Sequence, residues 1–168
     1  MQAPRGRSST RRQSPTQGFS LVELLVVVAV ILIIAAIAIP NFIQSKERAN
    51  ESSAAQNLRT ITTAEVLYNA TYSIGFASLT SLGGTGTTVG PTNAELIDSV
   101  LAGGQKSGYI FSYTTLATDG LGNVTSYSVN ADPVVPGYTG ARHFYTDQSA
   151  VIRENDTVAA GPADNPIQ

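Results

Sequence analysis

Glu23 is the residue out of place. It opens an almost unbroken apolar run that ends at Ile39, with Pro40 directly after it. Phe19 through Ile39 is 21 residues. A helix of that length, at ~1.5 Å per residue, is about 32 Å long, close to the hydrocarbon thickness of a bilayer. A carboxylate in such a segment is costly, so Glu23 is a functional group by default and needs either a cation or an escape to the headgroup boundary.

The rest of the chain offers little else for chemistry. There is no cysteine, which removes disulfides, thiolate metal sites and cysteine nucleophiles. His143 is the one histidine and stands in a predicted strand beside aromatics, where a structural role fits better than a ligand or base. Gly103-Gly104-Gln105-Lys106-Ser107 has the look of a phosphate loop but lacks a glycine directly before the lysine, and a strand follows where a helix is required. Asp119, Asn123 and Asp132 could offer oxygens to calcium, yet the spacing matches no EF-hand and turn formation explains Asp119 and Asn123. No metal or cofactor is therefore expected, and an enzyme is the least supported class.

Charge narrows the partners. Arg5, Arg7, Arg11 and Arg12 supply four of the ten basic residues. Without residues 1–18 the remaining 150 carry six Lys/Arg against twelve Asp/Glu, formally −6. Nucleic acid is not expected as a main ligand, because its binding needs clustered cations. The upstream arginines place the N-terminus in the cytoplasm and the C-terminal bulk outside, by the positive-inside rule. Residues 1–18 have no apolar core, unlike the front of a secretory signal peptide. Cleavage beyond the run, near Ala35, Ala36 and Ala38, would release a soluble protein but leave Glu23 without a purpose.

Gly18-Phe19-Ser20-Leu21-Val22-Glu23-Leu24-Leu25, the apolar run and Pro40 together resemble the N-terminus of type IV prepilins and the related type II secretion pseudopilins. The likeness is strongest over about residues 13–70 and only architectural beyond. It implies a leader, residues 1–18, cut after Gly18 by a prepilin peptidase, with N-methylation of the new terminus at Phe19. The amine so created on Phe19 lies four residues before Glu23. An ion pair between them, within one chain or between neighbours, lowers the cost of both charges in low dielectric. The family uses the pair between neighbours, and one polar group in an apolar seam is a known way to set register. The resemblance further implies a helical filament of identical subunits and an inner-membrane assembly platform. The precursor would be a single-pass inner-membrane protein, and the filament extracellular. It implies too that the helix yields near Pro40 when a subunit leaves the bilayer. Proline itself predicts a kink or local melting over residues 36–40, since it lacks an N–H and crowds the carbonyl four residues back.

These groups need elements to hold them. Residues 19–40 read as the apolar membrane or filament-core helix, with small Ala29, Ala35, Ala36 and Ala38 permitting close helix approach. Residues 41–73 continue it as an amphipathic half. Ala54, Leu58, Ile61, Ala64 or Glu65, Tyr68 and Tyr72 form its apolar stripe, and Lys46, Glu47, Arg48, Glu51 and Arg59 lie off it. Residues 74–168 read as a globular head. A loop over 73–91 leads into it, and Thr92-Asn93-Ala94-Glu95 is a capping box opening a short helix over about 93–102. Strands at 109–113 and 124–129 form a hairpin around Thr118-Asp119-Gly120-Leu121-Gly122-Asn123. A second hairpin spans 142–146 and 150–154, and an irregular tail follows Gly161. The expected fold is α+β, a pilin fold. Its long N-terminal helix leaves the apolar half protruding and packs the C-terminal half on an antiparallel sheet of three or four strands.

Overall fold

A computed structural model describes residues 18–84, 86 and 88–167. The leader and its arginines lie outside the described residues, apart from Gly18. The chain divides between Ile39 and Pro40 into two compact units. Helix α1, Leu21–Tyr72, contributes to both and has Pro40 inside it, with helical backbone on either side.

In the first unit α1 begins at Leu21 rather than Phe19, because Ser20 occupies the N-cap. The large apolar side chains from Leu21 to Ile39 are all exposed, for example Leu21 at 76% and Ile37 at 66%. The helix is long and apolar enough to cross a membrane.

The second unit is built around the buried stripe of α1. Ala54, Leu58, Ile61, Ala64 and Tyr68 form one core with Tyr109, Phe111, Tyr127, Val129, Ala131 and Phe144 of the sheet. Both Ala64 and Glu65 are buried, so the stripe is wider than a single row. Full burial of a residue such as Leu58 stabilises the unit by about 1.5–3 kcal/mol.

The sheet has six strands, more than expected, and they pair antiparallel in chain order: β1 Gln105–Lys106, β2 Tyr109–Thr118, β3 Val124–Pro133, β4 His143–Asp147, β5 Arg153–Asn155 and β6 Asn165–Pro166. Tyr109, Phe111 and Tyr113 alternate inward along β2, as a half-buried strand requires. The predicted hairpin is β2–β3 and is longer than its sequence signal. The predicted second hairpin is β4–β5. The additions are the two-residue edge strands β1 and β6, the latter in a tail expected to be irregular.

Two helical details depart from expectation. The segment 73–91 contains a helix, α2 Leu79–Gly83, whose N-cap Ser78 accepts the Ser81 N–H through Oγ. No helix starts at Thr92–Glu95. There the Asn93 side chain instead closes the preceding loop, accepting the Gly86 N–H at 2.7 Å and donating to the Thr88 carbonyl at 2.9 Å, and Glu95 takes a positive φ of 54°. The short helix α3 spans only Ser99–Ala102, capped by Asp98, whose Oδ1 accepts the N–H groups of Val100 and Leu101.

Candidate functional site

Ser20 and Glu23 form a reciprocal cap at the start of α1. The Glu23 carboxylate accepts the Ser20 N–H at 3.0 Å through Oε2, and the Ser20 hydroxyl accepts the Val22 N–H at 3.3 Å. Ser20 C=O accepts the Leu24 N–H at 3.2 Å, closing the first helical turn. This S-x-x-E arrangement satisfies amides that a helix start leaves unpaired, and it holds a negative group at the positive end of the helix dipole. The second carboxylate oxygen, Oε1, takes no partner among the described residues. Glu23 therefore combines a fixed position with spare capacity to accept a cation.

The surroundings are apolar. Phe19, Val22, Val26 and Val27 line a shallow groove with Glu23. Phe19 itself is 81% exposed. An uninterrupted apolar surface of this size on a helix calls for lipid or protein to cover it. Gly18 precedes the helix, and a Cβ placed there would meet nothing within 4 Å. Among the described residues nothing demands glycine at 18, in contrast to Gly140, where a Cβ would collide with the Tyr109 hydroxyl.

The other groups singled out in the sequence have local roles. Asp119 folds its own turn, its Oδ1 accepting the Leu121 and Asn123 N–H groups at 2.8 Å and its Oδ2 the Asn123 amide at 2.8 Å. Asp132 sits at the opposite end of the β2–β3 hairpin, since its partner is Ile110 whereas Val124, just past the turn, pairs with Thr118. The three oxygen donors considered for calcium are therefore not gathered. Asp132 is instead bonded to His143 Nδ1 at 2.6 Å. That pairing was not visible in the sequence, because the β3–β4 register creates it. Gly103-Gly104 leads into β1, and Lys106 pairs with Asp98 at 2.7 Å on the surface.

A second set of charged residues escaped the sequence reading altogether. Glu51, expected on the solvent face, is 6% exposed. Its carboxylate accepts the N–H groups of Ala141 and Arg142 at 2.9 and 3.2 Å and the Arg142 Nε–H at 2.9 Å. Arg142 also donates to Glu154 at 2.6 Å. Burial by itself would raise the Glu51 pKa, but the two backbone donors and the guanidinium outweigh it and hold the carboxyl below the usual range. Beside this network, Asn50 donates to the Thr139 carbonyl at 2.8 Å, and the Tyr109 hydroxyl donates to the Arg142 carbonyl at 2.8 Å. The network joins α1 to β5 and to the loop before β4. A signal for it did exist: Glu51 stands seven residues before Leu58 and fourteen before Glu65, in phase with the buried stripe.

One comparison with known proteins bears on the same N-terminal segment. Residues 14–39 match the family described as the prokaryotic N-terminal methylation motif. The chain is 53% identical over 49 residues to the type IV major pilin protein PilA of Myxococcus xanthus, covering 29% of this chain and 22% of that protein. It is 39% identical over 70 residues to the type IV wide pilus major component PilA4 of Thermus thermophilus, covering 40% of this chain and 53% of that protein. The chain thus spans about a fifth and about half the length of these two relatives. No solved structure matches it significantly. The segment built around Glu23 carries the prokaryotic N-terminal methylation motif, and over part of its length the chain is similar to a type IV major pilin and to the major component of a type IV wide pilus.

Proposed function

We propose that the chain is a structural subunit of a type IV pilus, held in the inner membrane by residues 19–39 before assembly and polymerising through that helix afterwards. The observation that carries this reading is Glu23: an acid on an otherwise apolar, exposed helix, positioned by Ser20 and with one carboxylate oxygen unused. Cleavage after Gly18 would place a cation, the methylated amine of Phe19, four residues away. In a filament the Glu23 of one copy accepts the amine of its neighbour, and the apolar surfaces bury one another. The glycine at 18 then answers to the prepilin peptidase, since nothing among the described residues requires it. Melting near Pro40 would let a helix made for lipid adjust to the filament core. Extracellular filaments of such subunits would serve attachment or motility.

Mass spectrometry of the mature chain tests the processing step; the expected terminus is N-methylated Phe19. Glu23→Ala tests assembly: the leader is expected to be removed normally while filaments are lost. Unchanged filaments would remove the proposed role of Glu23. Loss of secreted enzymes from cells that never make long filaments would reassign the chain to the pseudopilins.

A further inference from the structure

Glu65 is fully buried on the stripe of α1. Its Oε2 accepts the Ala77 N–H at 2.9 Å. Its Oε1 is buried without a partner, as is the Tyr113 hydroxyl. The polar groups that bear on it are Tyr68 of α1, Tyr113 of β2 and Tyr127 of β3, with Tyr72 packed behind Tyr68 at 4.9 Å. From β4, Asp147 bears on Tyr127 and is itself an acid. The segment following α1 brings Phe76, whose ring lies 4.8 Å from that of Tyr127. No ion pair reaches Glu65 among the described residues. An ionised carboxylate with one hydrogen bond in such a place is strongly disfavoured, and neutralisation is the usual escape.

The segment held by Glu65 has little slack. Gly75 takes a φ of 82°, and a Cβ there would collide with the Val124 carbonyl. Phe76 N–H donates to that same carbonyl at 2.9 Å. Ala77 is then seated by Glu65, and Leu79 is buried at the start of α2. Glu65 is the only side chain of α1 with a hydrogen bond to residues 75–79 among the described residues.

We propose that Glu65 is a proton-held latch: its carboxyl stays neutral while the second unit is folded, and loss of the proton leaves an uncompensated charge in the core that loosens the unit, residues 76–79 included, in alkaline solution. Burial pushes the Glu65 carboxyl up to about 8, with the Ala77 N–H offsetting only part of the effect. An unfolded chain would ionise the same group near 4.5, its unperturbed value. Between those values a rise in pH takes the proton from the unfolded state but not from the folded one. Stability is therefore full below the lower value, falls across the window, and levels off above the upper one.

The test uses the full mature chain in detergent micelles. The unfolding constant of the wild type is expected to rise roughly a hundred- to a thousand-fold between pH 5 and 8.5 by this linkage. Glu65→Gln, which keeps an acceptor for Ala77, should flatten most of that rise, and hydrogen exchange at the Ala77 amide should lose its extra alkaline acceleration. Parallel pH profiles for the two chains would overturn the proposal. Should Glu65→Gln not fold, the side-chain carboxyl carbon of Glu65, assigned in the wild type by NMR, decides alone. Titration above neutral pH supports the latch, and complete ionisation by pH 6 overturns it.

Discussion

Residues 21–39 and residues 51–68 belong to one helix, yet they treat their surfaces and their acids in opposite ways. The first stretch exposes its large apolar side chains, and its acid, Glu23, is anchored by the backbone of Ser20 three residues away. The second buries its stripe, and its acids depend on distant chain: Glu51 on Arg142 and Glu65 on Ala77. Helical periodicity alone does not separate the two; the difference lies in what the rest of the sequence supplies to cover them. Downstream chain provides a sheet for the second stretch and satisfies Glu51 fully and Glu65 by half. For the first stretch the described residues supply no such cover, and in the proposed filament Glu23 would meet a neighbouring copy.

The largest effects should separate the stretches cleanly. Glu23→Ala is expected to abolish filaments, counted in sheared fractions, while leaving the denaturation midpoint of the second unit within about 0.5 kcal/mol of wild type. Leu58→Ala should do the reverse, costing about 3–5 kcal/mol as a cavity in a closed core, read by urea denaturation. Val28→Ala, an equally apolar position on the exposed stretch, should leave that midpoint unchanged. An equal loss at both sites would break the distinction.

Arg142→Ala is expected to cost about 1–3 kcal/mol, less than a fully buried pair because the guanidinium is partly exposed and screened. The acid side sharpens the contrast between Glu51 and Glu65. The folded-state pKa of Glu51 is depressed, so its contribution is present above the ordinary carboxyl value and is lost as pH falls through the folded one. Glu65 acts with the opposite sign at higher pH. Wild-type stability should therefore fall on both sides of a maximum, and Arg142→Ala should flatten only the acid side of the profile. The smallest effect is expected at Leu121, 89% exposed in the β2–β3 turn. Leu121→Ser should shift stability by less than about 0.5 kcal/mol in either direction.

What could be read from the sequence follows the reach of each interaction. The methylation motif around Glu23 was legible because its parts are consecutive, and the Asp119–Asn123 turn because its hydrogen bonds close within five positions. The α+β class followed from one long periodic stretch and two aromatic hairpins. The Glu51–Arg142 bond was not legible, since its partners are 91 residues apart. Glu51 also reads as a surface residue next to Lys46, Glu47 and Arg48. Strands β1 and β6 were missed because two residues carry no periodicity; they exist by pairing with strands already formed. The capping box at Thr92 misled because Asn93 had a nearer loop to close.

The sheet carries a further consequence through its order. All six strands lie beside their sequence neighbours, so no strand waits for one encoded later. Such a meander can zip up strand by strand, with short loop closures at each step. Its last member, β6, occupies an edge. Shortening the chain from the C-terminus should therefore peel strands away singly, β6 and then β5, with no gap opened between those that remain. The loss of β5 would reach α1 through charge, because it takes Glu154 from Arg142 and with it part of the support for Glu51.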